Sequence, residues 1–338
     1  MTAPDLVCMT CDGTLPAPQG PVSAVRCEHG HSTPVIAGIA DCRPPLVGFD
    51  IEADLACAAE LAAMAGASFE ELLRCYWASQ PQVSPDLVER FVTGDLIGAR
   101  RAVEVADQIT VETGRHVDRE VVALEVGCGT AALGAALAVR ASWVVCSDVS
   151  LAWLVLARRR FELLGLHNNT LVAATGDHLP FADGTFSLVV AADVIEHVPD
   201  APAMVETCRR VLRRGGTLWL STPNRFSLTP EPHVRLWGVG LVPRWLALRY
   251  VKRFRDVDYT QIRTLSAWQL GRILRAGGDR AYVDVPPIAS AVRATYGGPS
   301  RRLIDVYHLC RRLPVLHELL LLIAPLLHGR LEKVDGGT

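Results

Sequence analysis

Four carboxylates, Glu125, Asp148, Asp177 and Asp193, recur along the middle of the chain, each at or near the end of a short apolar run. Gly127 and Gly129 follow the first of them, in the stretch VVALEVGCGTAALGAALA. Both glycines can take positive φ and lack a Cβ, so a ligand can lie against the backbone near the start of the next helix. Asp148 follows Gly129 by 19 residues. A carboxylate at the tip of a neighbouring strand is placed to accept hydrogen bonds from both ribose hydroxyls of an adenosine ligand. A dinucleotide turn would put a third glycine at 132, where this chain has alanine. Further on, DVIEH spaces Asp193, Glu196 and His197 at i, i+3 and i+4, which on a helical turn is one face. An imidazole titrates near neutral pH, so His197 is the first choice of general base, with Glu196 beside it and His233 of TPEPH as a second base. The competing roles are structural: Glu196 and His197 pin a helix, and His233 is a loop residue.

A third group lies near the N-terminus. Cys8 and Cys11 form a Cys-x-x-Cys knuckle, and Cys27 follows in CEHGH with His29 and His31. Three thiolates and one imidazole close a tetrahedral zinc site of the structural type. His31 is the preferred fourth ligand, His29 the alternative and Cys42 a distant third. A segment so poor in large apolar side chains would draw much of its folding energy from the ion.

The elements that must position these groups follow from periodicity. REVVALEV and SWVVCSDVS are apolar enough to be parallel strands buried on both faces, with AALGAALAVR a helix between them. A third strand is expected to close at Asp177, a fourth spans 186–192 and closes at Asp193, and a helix, a Gly-Gly turn and a fifth strand follow in CRRVLRRGGTLWLSTPN. Upstream, 46–115 has helical spacing, with Ser-Pro-Asp at 84–86 opening a helix, and should form two or three helices. Tyr76, Trp77 and Phe91 there read as packing residues. Downstream, GDRAYVDVPP supplies a sixth strand at 281–285, and no seventh is placed after it. The expected organisation is a ribbon at 1–45, a helical linker or lid at 46–115, an α/β domain at 116–288 with an acceptor-specificity insertion at 225–265, and a helical segment at 289–338.

Composition bounds the rest. The chain has 338 residues, 50% of them hydrophobic, enough for one large or two modest domains. A net charge of −2 gives no global field for nucleic acid, and basic clusters such as Arg158-Arg159-Arg160 and 249–255 read as solvated faces. The opening MTAPDLVCMTCDG lacks a secretory pattern, so the cytoplasm is the expected compartment and the ten cysteines are expected to be reduced.

The stretches LEVGCGT, SDVS, GDHLPFADGTFSLVVAADVIEHVPD, RVLRRGGTLWLSTPN and DYTQIRTLSAWQLGRILRAGG together resemble the class I S-adenosylmethionine-dependent methyltransferases, in particular the subgroup that includes ubiquinone-pathway O-methyltransferases. Cys8, Cys11, Cys27, His31 and TPVIAGIADCRP resemble the zinc ribbon of ribosomal RNA guanine methyltransferases. The resemblance implies a Rossmann-like, doubly wound, mostly parallel sheet with that ribbon and added helices. It implies that Glu125 faces the methionine amino group or orders water near it, and that Gly127, Cys128 and Gly129 approach the cofactor. Asp148 and Val149 would lie at the ribose, Asp177 at the adenine amino group, His178 or Leu179 on the ring, and Asp193 at the same pocket. Where the family commonly has glycine, this chain has Ala131, tolerable if its φ is negative. The ubiquinone-pathway likeness also implies a divalent ion such as Mg2+ held by Asp193, Glu196 and His197.

The acceptor is expected to be a small molecule, a sugar or a lipid-linked metabolite methylated on oxygen, in natural-product or glycan biosynthesis. The alternative is a ribosomal or transfer RNA base methyltransferase that uses the ribbon, against which stand the near-neutral charge and the missing Asn-Pro-Pro-Tyr type motif. The run LPVLHELLLLIAPLLHGRLEK is too short and interrupted to span a bilayer. It is expected to pack on the core, form a homodimer interface or lie on a membrane surface.

Overall fold

The computed structural model describes residues 3–18, 22–46, 48–80, 83–114, 116–288, 293 and 297–334. The chain divides into two compact units, Met1–Val190 with Thr207–Thr217, and Ala191–Glu206 with Leu218–Thr338.

In the first unit the apolar runs become parallel strands: β6 (Val122–Val126), β7 (Trp143–Asp148), β8 (Asn169–Ala173) and β9 (Phe186–Ala192). Their order is β9-β6-β7-β8, with Glu125 in register with both Cys146 and Val190. The chain therefore moves outward from β6 to β7 and β8 and then returns to the other side of β6. That reversal creates a topological switch point, and ligands bind at the carboxyl ends of strands there. Helices α4 (Ala132–Ala138) and α5 (Leu151–Leu163) link these strands and pack on them. The fold is Rossmann-like α/β with a mostly parallel sheet. β8 ends at Ala173, so Asp177 lies in the following turn rather than at a strand tip.

The N-terminal segment joins this sheet. β1 (Leu6–Val7) pairs with β2 (Thr14–Leu15), and β3 (Ala24–Arg26), β4 (Ser32–Ile36) and β5 (Ile39–Asp41) form an antiparallel set. β5 then runs parallel to β8, pairing Asp41 with Ala173. Three helices follow: α1 (Ile51–Ala63), α2 (Phe69–Ser79) and α3 (Pro85–Thr113). Ser68 and Glu71 form a capping box on α2, and α3 starts at Pro85 as the Ser-Pro-Asp signal predicts. Tyr76 and Trp77 pack against Trp153, and Trp77 stacks on Phe91 with centroids 4.5 Å apart. Trp77 Nε1 also donates to Asp95 Oδ2 at 2.8 Å, joining α2 to α3.

Helix α6 (Ala201–Val211) and strand β10 (Leu212–Pro223) run from one unit into the other. Gly215 and Gly216, expected to precede the fifth strand as a turn, fall inside β10, with Gly215 at φ 68. The second unit adds α7 (Arg244–Arg255), α8 (Ala267–Arg275) and β11 (Arg280–Asp284), then α9 (Gly298–Arg312), α10 (Pro314–Ile323) and β12 (Leu326–Glu332). Its strand order is β11-β12-β10, with β11 and β12 antiparallel. The C-terminal segment is thus not all helical. Pro325 interrupts the apolar run, and LLHGRLE pairs with β11 as the seventh strand that the sequence left unplaced. The insertion has its own small core of Val234, Leu236, Val239, Ala247, Val251 and Tyr259.

Candidate functional site

The turn after β6 is built by Gly127 at φ 66 and Gly129 at φ 50, and Cys128 N donates to Ser147 O at 3.0 Å, tying the turn to β7. Ala131 also lies in the left-handed region, at φ 50 and ψ 41, as the N-cap of α4. The negative φ expected for it is not what the chain adopts, because the path from β6 into α4 demands a left-handed residue there. The close-packing role of a third glycine falls to Gly134. Its N–H donates to Glu125 Oε2 at 2.8 Å, and a Cβ on it would stand 2.6 Å from the same oxygen.

Glu125 is buried, and burial pushes its carboxyl up to about 8, with the Gly134 N–H pulling the other way. Asp148 is also buried, which raises its carboxyl, while Gly129 N donates to Oδ2 at 2.8 Å and Ser150 N to Oδ1 at 2.9 Å. Both acids stand at the carboxyl ends of adjacent strands. Val149 offers its carbonyl to Arg43 Nη1 at 2.9 Å. Arg160 is no solvated charge: it is 9% exposed and donates from Nε and Nη2 to the carbonyl and hydroxyl of Thr130, bracing the glycine turn. Nothing in the Arg158-Arg159-Arg160 run distinguishes it beforehand. Asp177 Oδ1 lies 3.2 Å from His178 Nδ1, and its carbonyl accepts the Thr207 hydroxyl at 3.0 Å. Leu179 is buried whereas His178 is exposed, so of the two only His178 is open to a ligand.

In the second unit DVIEH is a tight turn rather than a helix. Asp193 takes φ 56, and α6 begins only at Ala201. Glu196 is fully buried and His197 exposed, so the turn brings them together without a helical face. The Asp193 carboxylate accepts the Ser221 hydroxyl at 2.8 Å. The residue brought to Glu196 and His197 is His233: one ligand atom from each of the three lies within 4.8 Å of the others. The two imidazoles meet Nε2 to Nε2 at 3.2 Å, and His233 Nδ1 is 2.6 Å from Glu231 Oε1. Glu231 is buried, and its other oxygen accepts Val234 N at 2.9 Å. The residues of TPEPH therefore contain a carboxylate–imidazole pair beyond the single histidine expected of them, with Glu-x-His as its only sequence signal.

Electrostatics separates the two rings. Burial and the neighbouring His233 lower His197, whereas the Glu231 hydrogen bond overcomes burial and raises His233. Burial and the nearby Asp193 charge push Glu196 up to about 7. Glu196 Oε2 accepts the Thr222 hydroxyl at 2.9 Å, while its buried Oε1 has no hydrogen-bond partner among the described residues.

At the N-terminus, one donor atom from each of Cys8, Cys11, Cys27 and His31 lies within 4.8 Å of the rest. Cys11 and Cys27 Sγ are 3.7 Å apart, and Cys27 Sγ is 3.6 Å from His31 Nδ1. A tetrahedral zinc ion would separate two thiolates by about 3.8 Å and a thiolate from an imidazole nitrogen by about 3.6 Å. His29 Nδ1 lies 3.4 Å from Cys11 Sγ but falls outside the four-donor group, as does buried Cys42. None of the ten cysteines is in a disulfide.

Residues 124–220 match the family described as "Methyltransferase domain". The chain is 33% identical over 102 residues to a ubiquinone biosynthesis O-methyltransferase of Xylella fastidiosa, a match covering 30% of this chain and 42% of that protein. It is 28% identical over 171 residues to the protein of the same name from Pasteurella multocida, covering 46% of this chain and 63% of that protein. The chain therefore spans roughly half the length of these curated relatives. Among solved structures it is similar to the YcgJ protein of Bacillus subtilis (15% identity, TM-score 0.45, 68% of this chain and 99% of that one). It is likewise similar to a SAM-dependent methyltransferase of Aquifex aeolicus (13% identity, TM-score 0.44, 70% of this chain and 93% of that one).

Proposed function

We propose that this chain is an S-adenosylmethionine-dependent methyltransferase acting on a hydroxyl oxygen of a small-molecule, sugar or lipid-linked acceptor. The observation that carries this is the pair of buried acids Glu125 and Asp148, at the ends of adjacent parallel strands beside a glycine turn and a switch point, inside the segment that matches the methyltransferase domain. Asp148 binds the ribose hydroxyls, Glu125 faces the methionine amino group, and Gly127, Cys128 and Gly129 pass close to the ligand. Asp177 and exposed His178 serve the adenine. The name shared by the curated relatives, O-methyltransferase, supports oxygen as the acceptor atom.

The bound cofactor supplies a methyl group on an already activated sulfonium, so the protein must align an oxygen lone pair with it and take one proton. The His197–His233 pair is the base: it would take the proton of an acceptor hydroxyl as that oxygen accepts the methyl group the cofactor would supply, the sulfonium leaving as a neutral thioether. Glu231 holds His233 for that exchange. A specific observation favours a second reading, in which Glu196, His197 and His233 hold a divalent ion. Among the described residues Glu196 Oε1 is buried without a hydrogen-bond partner, and 3.2 Å between the Nε2 atoms also fits two imidazoles on one cation at about 2.1 Å from each. The ligand set is then Glu196 with two histidines rather than one including Asp193.

Cys8, Cys11, Cys27 and His31 are proposed to hold structural zinc, which their spacing fits. No described helix is long and apolar enough to cross a membrane. Exposed Trp245 and Phe254 among the arginines of α7, with Val315, Leu319 and Leu322 on α10, support peripheral contact with a lipid surface bearing the acceptor. The test is incubation with labelled S-adenosylmethionine and extract from a strain lacking the gene, followed by mass identification of the product. A methyl ether is expected. Label in RNA or on nitrogen would contradict the oxygen assignment, and labelling lost on chelation, then restored by Mg2+ but not by zinc, would select the metal reading over the histidine base.

A further inference from the structure

We infer that Asp54, on helix α1, is a positioning residue for cofactor binding: with Arg43 it clamps the turn that presents Asp148. The inference rests on the reading of Asp148 as the ribose-binding group. Asp54 lies far from β7 in sequence, yet it is 9% exposed and wholly engaged with the start of α5. Its Oδ1 accepts the Ser150 hydroxyl at 2.6 Å and Ala152 N at 3.3 Å, and its Oδ2 accepts Leu151 N at 2.9 Å and Arg43 Nη1 at 2.8 Å. A carboxylate has about four acceptor sites, so none is left for a ligand, and Asp54 can act only through the turn it holds.

Arg43 completes the clamp. The same Nη1 that meets Asp54 donates to Val149 O at 2.9 Å, while Nε and Nη2 grip both oxygens of Asp41 at 2.8 and 2.7 Å. Asp41 belongs to β5 and is in register with Ala173 of β8, so the clamp is anchored in the sheet. The Arg43 side chain is 2% exposed, and in a cluster this buried desolvation offsets much of the attraction, so its main effect is to fix geometry. Residues 149–152 are thus held at four backbone or hydroxyl atoms from one side. From the other, Asp148 receives the N–H groups of Gly129 and Ser150.

Charge and position predict opposite signs. The Asp54 charge repels that of Asp148 and opposes its ionisation, so removing it without disturbing the turn would favour the carboxylate and tighten binding. Removing a clamp weakens binding. The experiment is calorimetric titration of the full chain with S-adenosylhomocysteine, comparing wild type, Asp54→Asn, Asp148→Ala and the double variant, with a thermal melt of each. Asp54→Asn is expected to bind about tenfold more weakly, the middle of the range for coupled residues in one hydrogen-bond network. The double variant is expected to bind no more weakly than Asp148→Ala alone, because Asp54 acts through Asp148. Wild-type or tighter binding by Asp54→Asn, or fully additive losses, would overturn the inference while leaving the methyltransferase reading intact. Absence of binding by wild type would instead sink that reading. Should Asp54→Asn fail to fold, Ser150→Ala removes the hydroxyl link to Asp54 together with the α5 N-cap bond from Trp153 N, and the same comparison with Asp148→Ala, read beside the melt, decides the matter.

Discussion

Ala131 occupies the left-handed region at φ 50 while fully buried, a conformation in which a Cβ costs about 1 kcal/mol relative to glycine. Ala131→Gly should therefore raise stability by up to about 1 kcal/mol, read as a higher denaturant midpoint with unchanged slope. A lowered midpoint would show that the methyl group contributes packing that outweighs the strain. The Glu231–His233–His197 array makes a second prediction, in pH. Glu231 raises His233, so the ring pair retains a proton to higher pH, and kcat/KM should fall as the solution is acidified through neutrality. Glu231→Gln removes the charge that raises His233 and should move that acid limb to lower pH, alongside any loss of rate; an unmoved limb would exclude His233 from the proton transfer. Glu125, Asp148 and the two glycines were readable because one local turn fixes their roles. Glu231 was passed over beside His233, and Asp54 could not be found at all, since its partners Ser150 to Ala152 lie up to 98 residues away.

The helix α4 approaches β6 so closely that Gly134 has no room for a side chain: a Cβ would stand 2.6 Å from Glu125 Oε2 and also strike Cys146 Sγ. Gly134→Ala should displace α4 from the strand, costing about 1–3 kcal/mol in stability and weakening S-adenosylhomocysteine binding, both measurable in one thermal-shift series with and without ligand. Unchanged melting and ligand response would mean that the contact yields freely. The central strands were legible because a strand buried on both faces is a continuous apolar run, and β9 falls at the residues expected, 186–192. Edge elements lack that signature. β5 is three residues long in a segment read as metal-bound, and β12 is hidden in an apolar run that reads equally well as helix. The Asp193–His197 stretch has helical spacing in sequence, but Asp193 takes positive φ and the chain turns there instead.

The first unit joins a cysteine-rich segment to the parallel strands of the glycine turn through the β5–β8 pairing, so an ion held by Cys8, Cys11, Cys27 and His31 should stabilise more than its own loops. A strong chelator, or Cys11→Ala, is expected to remove one zinc per chain and lower the melting temperature by roughly 5 °C or more, as loss of about 2 kcal/mol does in a domain of this size. A metal-free preparation with the same melting curve would contradict it. Stability should also depend on pH through the buried acids. Glu125, at about 8, and Glu196, at about 7, are raised well above their unfolded value near 4.5. Their contribution is complete below that value and lost as pH rises through about 7 to 8. The most direct test is the crystal structure of the chain with S-adenosylhomocysteine, measuring the distance from the Asp148 carboxylate to the ribose. Both hydroxyls should lie within about 3.2 Å of its oxygens; a ribose bound elsewhere, or a ligand excluded from the β6–β7 edge, would contradict the assignment.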